Sequence, residues 1–255
     1  MVRRHERAGD FAGASVFPGG VVDPGDRDPE LAPAESGFSA DSALACLGEA
    51  SPAAEARALY VAACRELFEE AGLLLSTAVA EAALVRLCAR RAGLQAGTES
   101  LREALAAEGC VLALDRLLPF ARWITPEFQP RRWDTRFFAA EAPQGQVAQC
   151  DGTETSEAAW LRPAAALEAY RAGEHLLAPP TFRVLEELSD FRTAAEALES
   201  LRAAGPPRPI LPVRLSGAST LTMVYPGDRD YPPGGRGAAV NRLILDGGRW
   251  RSERS

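Results

Sequence analysis

The chain has 255 residues, of which 47% are hydrophobic and 25% charged, so it can bury a substantial core and has globular composition. Its formal net charge of -7 argues against a nucleic-acid partner, because binding to a phosphate backbone needs clustered positive charge. All its basic residues are arginine, which excludes chemistry that depends on lysine. Without a long apolar run, and with no CxxC pair, the sequence predicts no membrane partner and a reduced, cytoplasmic location.

The first predicted element is a short strand at 14–17, which leads into a tight turn, PGG, at 18–20. Residues 27–53 are rich in Ala, Pro, Ser and acids, and we interpret them as an inserted surface segment with one short helix near 41–48. Because this segment is polar, we expect its shortening to leave the chemistry of the protein intact.

A helix is predicted from about residue 54, where apolar residues begin to recur at helical spacing. Val61, Cys64 and Phe68 form one apolar stripe on this helix, and Gly72 marks its end. The other side of the helix therefore carries its charged residues.

The rest of the chain alternates between helical and extended patterns. Further helices are predicted at 78–92, 98–108, 162–173 and 180–203. Strands are predicted at 133–142, 157–161, 209–215, 220–225 and 242–250. We divide the chain into a main domain at 1–204 and a C-terminal extension with strand-like pieces at 205–255.

Three glutamates interrupt the apolar run CRELFEEAGLLL at 64–75. Glu66, Glu69 and Glu70 are spaced i, i+3 and i+4, so a helix places them on one face, where like charges repel. Such a cluster is either exposed to water or holds a cation. Mg²⁺ prefers oxygen ligands of this kind, and the only two histidines are far apart, so carboxylates must carry any catalysis.

Two stretches, FPGGVVDPGD and RELFEEAGL, resemble the two halves of the Nudix box, G-x5-E-x7-R-E-U-x-E-E-x-G-U with U aliphatic. The residues that match in register are Gly20, Asp26, Arg65, Glu66, Leu67, Glu69, Glu70, Gly72 and Leu73. Two features depart from the pattern: Asp26 replaces a glutamate, and the spacer has grown to 38 residues, from 27 to 64.

The resemblance implies a Nudix α/β/α sandwich, an α/β fold with a mixed sheet, here with extra helices and the C-terminal extension. It also implies that Mg²⁺ or Mn²⁺ binds to Glu66, Glu69 and Glu70, and that these carboxylates are catalytic. We expect Arg65 to brace one of them by a bidentate pair. Gly19 and Gly20 are expected to let the backbone approach the metal and the substrate closely.

A narrower resemblance, to the Nudix branch of the peroxisomal CoA diphosphatases, extends over most of the chain. Its signals are the insertion within the box and the stretches RWITPEFQPRRWDTRFF, AAWLRPAAALEAYRAGE and LAPPTF. It implies hydrolysis of the diphosphate in CoA or acyl-CoA, a small-molecule nucleoside diphosphate derivative. Separately, a homodimer is a candidate assembly. The alternatives left open are an ADP-ribose or NADH pyrophosphatase and a non-catalytic, Nudix-like module that binds a nucleotide.

Further candidates lie outside the box. Glu154 precedes Trp160 at a spacing where Nudix hydrolases place another carboxylate that binds metal or acts as a base, and Glu157 is a weaker candidate. Arg131 and Arg132 are candidates to contact phosphates, although a surface pair is the more common outcome. Core packing is the default for aromatic residues such as Trp133 and Phe137, and His175 reads as a loop residue near a helix end.

The start of the chain leaves one expected strand short. In a Nudix domain that resembles this one, a strand ends in a basic stretch shortly before the PGG turn, and here only Met1 and Val2 precede Arg3. A missing strand leaves backbone groups of its neighbour unpaired. We therefore expect either an upstream start or a substitute strand from the tail, at 209–215 or 220–225.

Overall fold

The fold is that of a computed structural model, which describes residues 1–7, 11–31, 38–48, 52–77, 79–232 and 238–255. Its α-helices are α1 (Ala40–Leu47), α2 (Ala53–Ala71), α3 (Glu81–Ala89), α4 (Arg91–Gln95), α5 (Leu101–Ala107), α6 (Pro163–Ala172), α7 (Pro179–Ser189) and α8 (Ala194–Ala204). Its strands are β1 (Val2–Arg4), β2 (Ser15–Val16), β3 (Leu118–Ile124), β4 (Asp134–Ala139), β5 (Thr155–Ala158), β6 (Pro209–Ile210), β7 (Val213–Arg214), β8 (Thr222–Val224), β9 (Asn241–Asp246) and β10 (Arg249–Arg254). Among these residues, no helix is long and apolar enough to cross a membrane.

The described strands form small sheets rather than one continuous sheet. Their orders are β2-β1-β5, β4-β3-β6 and β10-β9-β8-β7. Strand β6 runs parallel to β3, whereas β4 runs antiparallel to it, so the pairing is mixed. The predicted α/β class with mixed pairing and added helices is confirmed.

Helix α2 is the central helix of the main core. Tyr60, Val61, Cys64 and Phe68 are fully buried in this core, as the apolar stripe predicted. The helix ends where Gly72 adopts a positive φ of 68° and donates its N–H to the carbonyl of Phe68. Glycine suits this left-handed position because it has no Cβ to clash with the chain. The end of α2 is therefore fixed just beyond the glutamates.

Most described residues of 27–53 are exposed or half-buried, but the interpretation of a polar surface segment is wrong for four of them. Leu31, Phe38, Ala43 and Leu47 are buried in the main core with α2, and the predicted short helix is α1. The sequence was misleading because acids and prolines surround these few apolar side chains. Residues 32–37 and 49–51 of the segment lie outside the described residues.

Several predicted elements differ in extent from the observed ones. The helix predicted at 180–203 is interrupted, because Thr193 caps a new helix by accepting a hydrogen bond from the N–H of Glu196. The helix predicted at 78–92 divides at Arg90 into α3 and α4, with residue 78 outside the described residues. Strand β3 was not predicted. Strand β5 ends at Ala158, earlier than the prediction. The strand predicted at 242–250 contains the DGG turn that separates β9 from β10.

The expected substitution of a tail strand near the start of the chain is wrong. Strand β1 pairs with both β2 and β5, while β6 pairs with β3, and β7 and β8 belong to the C-terminal sheet. Met223, Tyr225 and Leu243 from the tail share a second core with Trp123 and Phe182. The tail therefore packs on the second core, and the boundary at 204 stays a prediction.

Candidate active site

The three glutamates lie together at the end of α2, beside a cavity of about 590 Å³. Their i, i+3 and i+4 spacing places them on one side of the helix, as predicted. We call this space the acidic cavity, and its acidic lining residues are Asp23, Asp26, Asp28, Glu66, Glu69, Glu70, Glu99 and Glu154. The chain thus gathers many carboxylates around one concave space.

Arg65 is the cation that organises this cluster. Its Nε and Nη2 donate to the two carboxylate oxygens of Asp26, at 2.9 and 3.0 Å. Its Nη1 donates to Glu66 at 2.8 Å and to Glu69 at 3.0 Å. The bidentate partner is therefore Asp26 rather than one of the three glutamates. Burial opposes the charge of Arg65, but the hydrogen bond to Asp26 and the charge of Glu66 raise its pKa.

The two glycines of the PGG turn contact the glutamates directly. The backbone N–H of Gly19 donates to Glu70 at 3.1 Å. At Gly20, a Cβ would collide with the carboxylate of Glu66, so the close approach requires a residue without a side chain. Both observed contacts are with glutamates. The close approach of Gly19 and Gly20 to the metal and the substrate stays a prediction.

The surroundings of the three glutamates disfavour their charged forms. Burial raises the pKa of both Glu66 and Glu69, and Arg65 offsets only part of this effect. Burial, and then the negative charge of Glu66, raise the pKa of Glu70 to about 8. A group of carboxylates in this state is stabilised by an added cation.

Glu154 also lines the acidic cavity, immediately before β5. It is exposed, and its negative charge contributes to raising the pKa of Glu66 and of Glu70. Glu157 lies opposite Arg3 in the sheet, 3.9 Å from its guanidinium, and does not line the cavity. The structure therefore brings Glu154, and not Glu157, to the glutamates.

The donor set fits a hard divalent cation, because carboxylate oxygens are the ligands that Mg²⁺ and Mn²⁺ prefer. Within the described part of the chain, however, no three His, Cys, Asp or Glu side chains already converge on one metal position. Arg65 Nη1 holds one oxygen of Glu66 and one of Glu69. The glutamates are thus adjacent, and a cation that competes with Arg65 for their oxygens would draw them together.

Other predicted candidates lie away from the acidic cavity. Arg131 and Arg132 do not line it, and Arg132 donates instead to the carbonyl of Thr125, within the β3–β4 hairpin. Phe137 packs edge-to-face on Phe17 in the second core. Trp133 is half exposed, and His175 is a loop residue that shares a hydrogen bond with Ser15.

The structure adds residues that the sequence did not single out. Gln95 lines the cavity, and both Gln95 and Arg91 donate to the backbone carbonyl of Glu69, at 3.1 and 2.7 Å. These bonds satisfy a carbonyl in the last turn of α2, where the helix itself supplies no donor. No motif marks these two residues, because their contact depends on how α4 packs against α2.

Arg4 is a second such addition. In strand β1, Val2 is buried with Ala71 and Leu73 at the end of α2, Arg3 lies opposite Glu157, and the register shifts between Arg3 and Arg4. The positive charge of Arg4 contributes to lowering the pKa of Glu70, against the larger effect of burial. The only signal for it in the sequence is its place in the basic stretch after Val2.

The comparisons with known proteins agree with this geometry. The model of the NUDT19 Nudix domain matches residues 1–188. The acyl-coenzyme A diphosphatase NUDT19 of Gallus gallus is 28% identical over 275 residues, covering 91% of this chain and 72% of that protein. The protein of the same name from Homo sapiens is 25% identical over 273 residues, covering 91% and 71%. A crystal structure of a NUDIX hydrolase from Alicyclobacillus acidocaldarius has a TM-score of 0.56 and 29% identity, covering 78% of this chain and 86% of that chain.

The mixed α/β fold and the glutamates at the end of α2 define a Nudix hydrolase, and so an enzyme of the pyrophosphohydrolase class. Because the family model spans well over half of the chain, the chain belongs to the NUDT19 Nudix domain family. The alternative of a non-catalytic module is therefore not supported.

Proposed function

We propose that the chain hydrolyses the diphosphate linkage of CoA or acyl-CoA, giving 3′,5′-ADP and a phosphopantetheine product. The observation that carries this proposal is the cluster of Glu66, Glu69 and Glu70 beside the acidic cavity, where burial raises the pKa of Glu70 to about 8. The names of the relatives from Gallus gallus and Homo sapiens support the CoA class of substrate.

The proposed cofactor is Mg²⁺ or Mn²⁺, held by Glu66, Glu69 and Glu70. When bound, such a cation neutralises a diphosphate and makes an attacking water more acidic. The residues of the chain hold the ligands in place: Arg65 orients Glu66 and Glu69, and the N–H of Gly19 orients Glu70.

Glu154 is the proposed base or additional ligand. It stands on the wall of the acidic cavity, immediately before β5, and it is exposed to water. A carboxylate in this position can accept the proton of the attacking water. The hydroxyl of this water adds to one phosphorus, and the bond from that phosphorus to the bridging oxygen breaks, so the other phosphate leaves with the bridging oxygen.

A hydrolysis screen tests the proposal. Purified protein is incubated with Mg²⁺ or Mn²⁺ and with CoA, acyl-CoAs, ADP-ribose, NADH and dinucleoside polyphosphates, and the products are identified by mass spectrometry. We expect 3′,5′-ADP from CoA or acyl-CoA at a higher kcat/KM than any product from the other substrates. Preferred cleavage of ADP-ribose or NADH would instead support the alternative pyrophosphatase. The cytoplasmic location and the homodimer stay predictions.

A further inference from the structure

A second, smaller cavity adjoins the acidic cavity. It has a volume of about 320 Å³ and lies between α5 and the 3₁₀ helix Pro29–Leu31. We call it the apolar recess, and its uncharged lining residues are Leu31, Leu105, Ala106, Gly109, Cys110 and Val111. Its lining thus differs in kind from the carboxylates of the acidic cavity.

The two cavities are neighbours. Leu31 and Arg102 line both of them, so they share a boundary on the side of α5. The wall of the acidic cavity on this side is formed by the residues between α4 and α5, from Gln95 to Arg102. A ligand with two chemically different parts fits such a surface.

The charges at the rim of the recess are paired with each other. Arg102 lies 3.0 Å from Glu30 and 3.2 Å from Asp28. The floor is rigid, because Leu105 and Cys110 belong to the main core and are only 2% and 7% exposed. An apolar group that enters the recess therefore meets apolar side chains without separating a buried charge from its partner.

We propose that the apolar recess binds the acyl chain of an acyl-CoA while the acidic cavity holds its diphosphate. This inference rests on the proposed function and extends it to substrate preference. The acidic cavity repels an apolar chain, whereas the recess has the apolar lining and the volume that small-molecule sites typically show. Each additional methylene group that enters the recess should raise kcat/KM by about two- to fourfold until the recess is full.

A matched pair of variants tests this inference. Ala106 and Ala107 are neighbouring, exposed residues at the end of α5, and of these two only Ala106 lines the recess. Both are changed to phenylalanine, so the cost to the helix is the same. For wild type we expect kcat/KM to increase from acetyl-CoA through hexanoyl-CoA to decanoyl-CoA.

The expected result is selective. Ala106→Phe should lower kcat/KM for decanoyl-CoA by about tenfold, because the phenyl ring displaces one or two methylene groups of the acyl chain from the recess. The kcat/KM for free CoA should not change, because free CoA has no acyl chain. Ala107→Phe should behave as wild type. Equal losses on free CoA and decanoyl-CoA, or no loss on either, would overturn the inference.

A binding measurement separates this inference from the proposed function. Calorimetry in the Glu70→Gln background compares the affinity of decanoyl-CoA with that of CoA, without turnover. If the wild type cleaves no CoA compound, the proposed function fails. The recess is still supported if decanoyl-CoA binds more tightly than CoA and Ala106→Phe removes the difference, and it is refuted if both bind alike.

Discussion

The acidic cavity and the C-terminal sheet each contain a buried arginine among carboxylates. They differ in how many hydrogen-bond donors each carboxylate receives. In the sheet, the carboxylate of Asp228 accepts hydrogen bonds from Nε and Nη2 of Arg242 and from the backbone N–H groups of Asp230 and Asn241. In the acidic cavity, Glu66 and Glu69 share one nitrogen of Arg65, and Glu70 accepts from Gly19.

The pKa values differ accordingly. Burial opposes the charge of Asp228, but the hydrogen bonds from Arg242 and the backbone lower the pKa of Asp228. Burial raises the pKa of Glu70 to about 8, because a single backbone hydrogen bond cannot offset it. A carboxylate that is fully supplied with donors stabilises the fold, whereas carboxylates that lack donors remain available to a cation.

The largest expected effect is on catalysis. Glu70→Gln keeps the shape of the side chain and removes one charge from the site, so kcat should fall by about 10²- to 10⁴-fold with little change in melting temperature. We expect the same of Glu69→Gln. Steady-state kinetics at saturating Mg²⁺ measures the effect. Turnover close to wild type in both variants contradicts the assignment of the site.

Loss of the organising arginine should affect stability as well. Arg65→Met leaves the buried carboxylate of Asp26 without its bidentate partner, which should lower the free energy of unfolding by about 3–5 kcal/mol. Urea denaturation measures this loss. The double variant with Asp26→Asn should recover part of it, because the unpaired buried charge is gone. If the single and double variants are equally unstable, the ion pair is not the cause.

The Asp228 cluster comprises Asp228, Asp230 and Arg242. A change in this cluster should lower stability and leave kcat unchanged, whereas Glu70→Gln should lower kcat and leave stability nearly unchanged. Asp228→Asn should lower the free energy of unfolding by about 2–3 kcal/mol, because the buried charge of Arg242 loses its main partner. Its kcat should stay at the wild-type value when the assay is run well below the melting temperature. A loss of kcat without a loss of stability is incompatible with a structural role.

The smallest expected effect is the pH dependence of the metal-free protein. The pKa of Glu70 is raised from an ordinary value of 4.5 to about 8, so its contribution to stability is present below the lower value and is lost as pH rises through the higher one. With chelator present, Glu70→Gln should therefore match wild type near about pH 5 and melt a few degrees higher near about pH 9. If the difference in melting temperature between the two proteins is the same at every pH in this range, the charged form of Glu70 does not destabilise the fold.

The sequence predicted helix α2 and its charged face well and the environment around this helix less well. The spacing of Glu66, Glu69 and Glu70 and the stop at Gly72 are local properties, so α2 and its charged face could be read directly. The burial of Leu31 and Leu47 could not be read in this way, because it depends on how the inserted segment packs across α2.

The same reason explains the site residues that were missed. Gln95 and Arg4 reach the acidic cavity and its surroundings from other elements, and neither belongs to a local pattern. Arg131 and Arg132 were candidates to contact phosphates because they precede a strand, but they do not line the acidic cavity. Local spacing therefore predicted which carboxylates stand together, whereas contacts between distant segments decide which cations stand near them.

The binding of a divalent cation to the resting protein tests the central claim most directly. Electron paramagnetic resonance measures the concentration of free Mn²⁺ in the presence of each of three proteins without substrate. These proteins are wild type, Glu66→Gln and Asp228→Asn. The account predicts that wild type and Asp228→Asn bind Mn²⁺ alike and that Glu66→Gln binds it at least about tenfold more weakly. Equal Mn²⁺ affinity in all three proteins would contradict the claim that the buried glutamates hold the metal.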